Sequence, residues 1–477
     1  MKCLLLLLLA FSLFVDAHYR FSNVIGPGLT STVSRRGVEH ITNTVVEIIR
    51  SELENTPIDD VEGDADSPLG KIHYHLSEII VLNPVFSSLS LQPDGHGLRL
   101  QVTDVQFSLA ARWSYKFGIV SDSGTMDAFS SSYIAVSLDV HPNSEGGVSA
   151  SLRDPVISIA KLNVRLHKSI VAWIYQFFVD LFNHQVKKTV ENVVKDVMIT
   201  TINDLIKTSL DNVNPVVEID EHARMDMRLM KTLFKDDYIS TSFNGNLLPI
   251  NSLVRPNLEY KQLPELINNK HIQMFISEYA LNSAGFVYHF SDALHKRLYP
   301  GDVPANFSLQ LNTNSFKWII PNLYRKYPNM DMVLDVSTLS APHSRINSTG
   351  VTVDLSCVCN ISVIIPSDGS IRSVFSLGLT VHTEANAWIE ELFLKGKLNL
   401  LNFKFAVVST DIGPFDVFLL NRAVTELVKF GILPFLNNNL QQGIEIPITE
   451  GIVLRDPELV FGDGFMVVSS DVDYIPE

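Results

Sequence analysis

Two short motifs in this sequence set metal-capable side chains on one strand face. His73-Tyr74-His75 spaces two imidazoles by two residues, the period at which strand side chains point the same way, and a neutral imidazole nitrogen is a ready metal ligand. Cys357-Val358-Cys359 does the same with two thiols, which suit a soft metal. Neither motif has a third donor nearby, so the histidines read as surface or interface residues and the cysteines as small apolar residues of a sheet. Asp59, Asp60, Glu62, Asp64 and Asp66 carry enough charge to attract calcium but lack the glycine and closing glutamate of a calcium loop. They read as a solvated acidic loop, and no metal or cofactor is expected.

Catalytic patterns are missing too: the sequence holds no Gly-x-Ser-x-Gly elbow, no His-Glu-x-x-His pair and no glycine loop of the kind that cradles phosphate. The chain therefore reads as a binding protein, not an enzyme. A secreted hydrolase built around a lipid pocket is the catalytic alternative, and it would need a nucleophile whose replacement abolishes turnover.

What the sequence has in excess is apolar material, with 46% hydrophobic and 19% charged residues, against about 25% charged in an average domain. Part of the excess is the run from Leu4 to Val15 behind Lys2, which ends in the small-residue site Val15-Asp16-Ala17. Residues 1–17 are thus predicted to be a signal peptide and the mature chain to be secreted. No later run is long and uncharged enough to span a membrane. Cys3 leaves with the leader, so Cys357 and Cys359 alone remain for an oxidising compartment. A bridge between them would be strained, because alternate strand residues sit about 6.5 to 7 Å apart at Cα. Free thiols or an intermolecular bridge are the alternatives. A net charge of −15 argues against nucleic acid or an anionic phosphate surface as the main partner. The sequons at Asn306, Asn347 and Asn360 fit a secreted glycoprotein.

The elements that would position a binding site follow from periodicity. Val38, Ile41, Val45 and Ile48 recur at three and four residues, one face of a helix. Alternation takes over at Leu98, Leu100, Val102 and again at Val105, Phe107, Leu109, and turn residues at 93–95, 122–124 and 143–147 divide a long antiparallel meander. From Lys168 to Leu210 there is no proline or glycine, and Val186, Val190, Val193 and Val197 mark a helix that would run about 60 Å at 1.5 Å per residue. The order then repeats: a helix over 277–294, strands over 307–408, and a helical stretch over 414–440. Residues 244–264, with three prolines and little periodicity, read as the linker between halves.

Several of these segments resemble, in the same order and spacing, the lipopolysaccharide-binding and bactericidal/permeability-increasing proteins and the phospholipid and cholesteryl ester transfer proteins. Pro27-Gly28-Leu29 with Val33-Ser34 and Gly37, then Lys168 to Trp173, Asn282 to Tyr288, Tyr327 to Met330, Asp411 to Phe415, Leu433-Pro434 and Leu440 to Gly443 carry the likeness. The departures are Thr32 where the family has arginine, Asn43 where it prefers an acid or its amide, and no cysteine near Pro155 or Val197, where relatives place a disulfide. At the tip of the first barrel, where endotoxin-binding members cluster cations, this chain offers only Arg112 and Lys116, with Asp122 and Asp127 close behind.

The resemblance implies an α+β fold: a boomerang of two pseudo-symmetric antiparallel β-barrels, each with long amphipathic helices, joined by a central β-sheet. Residues 18–243 would form the first domain and 265–477 the second, each with one apolar pocket for the acyl chains of a phospholipid. Candidate lining residues are Val38, Ile41, Val45, Ile48, Trp173, Phe177, Phe178 and Leu181 in the first half, and Phe286, Val287, Phe418 and Leu419 in the second. The expected partner is phospholipid or a related amphipathic lipid, met at a membrane or lipoprotein surface by a monomer. An innate-defence protein that binds lipopolysaccharide is the alternative.

Overall fold

The structure, a computed structural model, describes residues 26–474 except residues 56, 68–69, 95–96, 143, 145, 168–171, 211–214, 253, 255–257, 259, 304–308 and 447–451. The expected signal peptide and the sequon asparagine Asn306 lie outside the described residues.

Strand β1 (Leu29–Ser34) leads into helix α1 (Arg35–Asn55) and then into a meander of β2 (Val61–Ser67), β3 (Gly70–Asp94), β4 (Gly97–Phe117), β5 (Val120–Pro142) and β6 (Val148–His167). A helical rod follows: α2 (Ala172–Leu181), a π turn (Phe182–Val186) and α3 (Lys187–Leu210). Short strands β7 (Val216–Glu218), β8 (Ala223–Asp226), β9 (Leu229–Phe234), β10 (Tyr238–Phe243) and β11 (Asn246–Pro249) lead to the second half. That half runs β12 (Ile272–Ser277), α4 (Glu278–Phe290), β13 (His295–Leu298), α5 (Pro321–Lys326), β14 (Met332–Thr338), β15 (His343–Asn347), β16 (Gly350–Ile364), β17 (Ile371–Glu390) and β18 (Phe393–Thr410). It ends with α6 (Asn421–Leu427), a second π turn (Val428–Ile432), α7 (Leu433–Gln442), β19 (Ile444–Glu445), β20 (Ile452–Gly462) and β21 (Phe465–Tyr474).

Alternation builds the meander. In β4, Val105, Phe107, Leu109, Ala111, Trp113 and Tyr115 are all buried, while Gln106, Arg112 and Lys116 between and beside them face solvent. Strands β2 to β6 pair in sequence order as an antiparallel ladder. Among the described residues the two outer strands do not pair with each other. Helix α1 packs on β3, α3 packs on β6, and the two helices touch, so apolar helix faces cover the open side of the sheet.

The buried stripe of α1 runs through Val38, Ile41, Val46, Ile49 and Leu53, and Ile48 is half-buried at its flank. In the rod, Phe178, Phe182, Val186, Val190, Val194, Met198 and Ile202 are buried at a strict spacing of four. A four-residue repeat drifts about 40° per step around a helix of 3.6 residues per turn. The stripe therefore spirals, and the π turn, with its one extra residue, takes up part of the drift. Val193 and Val197, expected on the buried face, are half-buried on its shoulder for this reason.

The expected acidic loop is a strand. Over β2, Asp64 pairs in register with His73, Glu62 with His75 and Asp66 with Lys71, so its outward carboxylates face basic or protonatable partners on β3. Cross-strand charge pairs of this kind make an otherwise hydrophilic segment competent as an edge strand.

In the second half, β13, β14, β16, β17, β18 and β19 form one antiparallel sheet, with β15 hydrogen-bonded to β16. A short helix, α5, falls within the span expected to be all strand; Pro321 at its first turn suits a helix start and not a sheet interior. Ser277 caps α4, its hydroxyl accepting from the Ala280 amide at 3.2 Å.

The two halves meet in a third sheet of order β20-β21-β12-β1-β10-β9. Strand β1 thus lies between a strand of its own half and one of the other half, both more than two hundred residues away, Thr32 opposite Ser240 on one side and Gln273 on the other. The centre of this sheet is polar and satisfied: the fully buried Thr32 hydroxyl donates to Ser240 Oγ at 3.0 Å, and buried Gln273 bonds the Ile267 amide and the Asn268 carbonyl. Residues read as the start of the linker are ordered here, because Asn246–Pro249 is fully buried and pairs with β8.

Candidate functional site

An apolar cavity in the second half lies between the β14–β16–β17 face and the helical segment above it. Register sets its floor: Leu334, Ile361 and Phe375 form one row across three strands, and Cys359 and Leu377 form the next. Leu420, Val424, Leu427 and Gly431 come down from the helical side, at the three- and four-residue spacing that puts them on one face. Leu298, Val303, Leu309, Leu311 and Phe316 close the flank. The cavity measures about 100 Å³, and a smaller one of about 30 Å³, lined by Cys357, Leu355 and Leu436, lies beyond Leu298 and Gly431, which border both.

Polar groups are few. Asp302 and Glu426 are the acids in the lining, and Glu426, largely buried, has Oε1 3.4 Å from Arg422 Nε. The two thiols of Cys357 and Cys359 are unbridged and buried, and burial pushes them up to about 11 and about 12. Buried thiols cannot reach a second chain, so of the sequence alternatives the free-thiol one stands.

The structure redistributes the candidate residues. Val38 and Ile41 are buried in the core of the first half. Phe178 is fully buried there, its ring centroid 5.6 Å from those of Trp113 and Tyr115 and 5.7 Å from that of Phe182. Phe177, Leu181 and Ile48 are half-buried; Val45 lies on α1 and Trp173 on α2, and their side chains are outside the described set. Phe286 and Val287 pack with Ala223 and Leu247 under the small β11-β8-β7 sheet, away from the cavity. Phe418 and Leu419 point to solvent, 79% and 47% exposed, because the 3-10 turn over 417–420 turns only Leu420 inward. The pocket residues that sequence reading missed come from six separate segments, and the nearest signal was the apolar face of 420–431.

His73 and His75 are hydrogen-bonded to acids, Nδ1 of His73 lying 3.1 Å from Asp64 and Nε2 of His75 lying 2.9 Å from Asp60. No group of three or more histidine, cysteine or acidic side chains among the described residues is arranged to hold a metal. Asn347 is exposed at the end of β15, with the Thr349 hydroxyl donating to its Oδ1 at 2.6 Å; Asn360 is half-buried mid-strand, its Oδ1 accepting from Ser376 at 2.7 Å. No helix among the described residues is long and apolar enough to cross a membrane.

With two meanders, two long helical segments and a shared sheet in place, comparison with known proteins gives the lineage. The N-terminal domain of the LBP / BPI / CETP family matches residues 40–208, and the C-terminal domain of that family matches residues 217–474. The chain belongs to this family. It is 23% identical to the bactericidal permeability-increasing protein of Sebastes schlegelii over 94% of this chain and 96% of that one. It is 24% identical to the human lipopolysaccharide-binding protein, covering 94% of each. A putative BPI/LBP family protein of Arabidopsis thaliana is 24% identical over 99% of this chain and 97% of its own length. A crystal structure of lipopolysaccharide binding protein superposes with a TM-score of 0.63 at 21% identity, covering 95% of this chain and 100% of that one. The α+β boomerang is thus the family fold, and the cavity falls wholly within the C-terminal family domain.

Proposed function

We propose that this member of the LBP / BPI / CETP family is a secreted, non-catalytic lipid carrier whose cargo is diacyl phospholipid. The observation that carries this reading is the apolar cavity between sheet and helix in the second half, with only two acids in its lining. Its about 100 Å³ is below the roughly 300 to 1,000 Å³ of ordinary ligand sites. Loading a long chain therefore requires the helix to move away from the sheet, joining the two cavities past Gly431. Each methylene sheltered from water contributes about 0.8 kcal/mol relative to a lipid in water, which keeps a loaded chain inside once the protein has left the membrane. A lipid leaving a bilayer is already in apolar surroundings, so exchange is nearly neutral and the protein lowers the barrier of passage through water.

In the first half the matching site is the contact of α1 and α2 with the meander, where Val38, Ile41, Phe177, Phe178 and Leu181 would part around a chain. Residues 18–243 and 265–477 would act as the two carrying domains of a monomer. Lipopolysaccharide, named in the relatives' titles, is the second cargo to weigh. Arg112, one of two cations expected at the first tip, is taken up by Glu78 at 2.8 Å, which weakens capture of an anionic headgroup.

Native mass spectrometry of the secreted protein, followed by extraction and identification of the lipid, tests the proposal. Co-purifying diacyl phospholipid near two per chain supports it. A protein that comes off empty and takes up no added phospholipid overturns it, and uptake of lipopolysaccharide that falls steeply with salt would favour the second cargo.

A further inference from the structure

Several residues beside those that line the second-half cavity are large, apolar and exposed. Trp318 is 81% exposed two residues after cavity-lining Phe316, and Phe418 and Leu419 directly precede cavity-lining Leu420. Phe430, itself at the cavity edge, is 58% exposed, and Tyr299 beside lining Leu298 is 41% exposed. Scattered surface apolar residues are ordinary. Here five large ones each sit at or within two positions of a residue that lines the same cavity.

Their presentation is rigid. Trp318 stands on a turn whose neighbours Phe316 and Ile320 are buried, closed by the Ile319 and Ile320 amides donating to the Phe316 carbonyl at 3.0 and 2.8 Å. Phe418 is held by its amide bond to Asp416 Oδ1 at 2.9 Å. The segment before it is tied to α5, where Lys326 Nζ donates to the Asp411 carbonyl at 2.7 Å and Asn322 Nδ2 to the Pro414 carbonyl at 3.5 Å. Lys317 Nζ lies 5.2 Å from the centroid of the Trp318 ring and 5.3 Å from that of Tyr324, so a cation sits beside the aromatic groups.

We propose that this rim is the surface by which the protein docks on a zwitterionic phospholipid bilayer, with Trp318 and Phe418 entering the headgroup region and the cavity opening onto it. The inference rests on the carrier reading above and names where cargo enters. Amphipathic Trp and Tyr rings favour the boundary between headgroup and acyl chain, and Lys317 can meet phosphate there. Asp302 in the cavity lining and exposed Asp416, which holds the Phe418 amide, on a chain of net charge −15, disfavour a strongly anionic surface. Docking at the mouth lets a chain pass from bilayer to cavity without crossing bulk water.

The test uses the full secreted chain and phosphatidylcholine vesicles. In flotation, Trp318→Ser combined with Phe418→Ser is expected to weaken vesicle binding at least tenfold with its unfolding midpoint unchanged, since both side chains are solvent-exposed. Vesicles brominated in the acyl chains are expected to quench the wild-type fluorescence, and Trp318→Phe, which preserves an aromatic ring, to remove most of that quenching. A double variant that floats like the wild type, or quenching that survives Trp318→Phe, overturns the proposal. So does concentration-dependent self-association that the double variant abolishes, which would give the rim to a second copy of the chain. Short-chain phosphatidylcholine below its micellar concentration reads the cavity alone and is expected to bind wild type and double variant alike. If it binds neither, the carrier reading fails, while flotation still decides the docking surface.

Discussion

His40 on α1 and His271 just before β12 stack with ring centroids 4.7 Å apart, and that contact joins the first helix to the sheet shared by both halves. His271 is tied on every side: its carbonyl accepts from the Ser34 amide at 3.0 Å, its Nδ1 accepts from the Val472 amide at 3.2 Å, and its own amide donates to Asp471 Oδ1 at 3.2 Å. Arg36 and Lys270 converge on Asp471 from α1 and from the segment leading into β12, and Glu458 of β20 shares Lys270.

Acid should loosen this junction. Burial lowers the His271 pKa despite Asp471, and His40 and Arg36 oppose a further positive charge. A histidine that titrates lower in the fold than its ordinary 6.5 contributes stability that is complete above that value and is lost as pH falls through the folded pKa. Protonation at Nδ1 would also end its acceptance from Val472. The thermal midpoint is expected to fall between pH 7 and pH 5, and His271→Gln to be less stable at neutral pH with a flatter acid slope. An undiminished acid slope in that variant would assign the effect elsewhere.

His295 should behave in the opposite sense. Its hydrogen bond to Asp335, and then that to Asp292, raise its pKa above 6.5. Its contribution is complete below 6.5 and is lost as pH rises through the raised value. His295→Asn is expected to remove stability at pH 5.5 and little at pH 8.5, measured by denaturant unfolding at both. Equal losses at the two pH values would show that packing, not charge, is what the side chain supplies.

How far the sequence could be read is plain from α1. Its existence and one apolar face follow from periodicity, yet Val45-Val46 and Ile48-Ile49 are apolar doublets, and spacing alone cannot say which member faces the sheet. Packing buries Ile49 and leaves Ile48 half-buried beside it. The meander and rod are local patterns and were legible; the insertion of β1 between β10 and β12 depends on residues more than two hundred apart, and no local pattern encodes it. The cavity shares that difficulty, since its walls come from six segments. At 417–420 a helical phase carried through a 3-10 turn assigns the wrong residues inward.

Gly37, one of the residues carrying the family likeness, has a contact that explains it. A methyl group on its Cα would overlap the His271 carbonyl oxygen and approach Val33 Cγ1 to 2.9 Å. Helix α1 can lie this close to β12 only without a side chain at position 37. Gly37→Ala is expected to cost about 1 to 3 kcal/mol in urea unfolding, although alanine is the better helix former. A stabilised variant would mean that the helix shifts freely on the sheet.

Asp226 anchors the passage between halves. Its carboxylate is fully buried and accepts from Arg228 Nε at 2.8 Å, from the Arg228 amide at 3.1 Å and from Asn244 Nδ2 at 2.8 Å, with Arg228 Nη2 on the second oxygen. Asp226→Ala strands the partly buried guanidinium of Arg228 and is expected to cost about 3 to 5 kcal/mol. Loss of less than 1 kcal/mol would show that water replaces the carboxylate there.

The cavity makes the most direct prediction about cargo. Ala423 lines it from α6, and its side chain is on the same helix face as Glu426 and Phe430. Ala423→Phe fills the space from the helical side and leaves the strand register untouched. Native mass spectrometry is expected to show one fewer phospholipid per chain, with first-half occupancy kept. The buried thiol of Cys359 gives an independent reading: native protein should resist thiol reagents because burial holds that thiol near 12. Bound phospholipid should slow its labelling further in mild denaturant. A variant with full lipid content, or labelling indifferent to lipid, would place the cargo somewhere other than between this helix and this sheet.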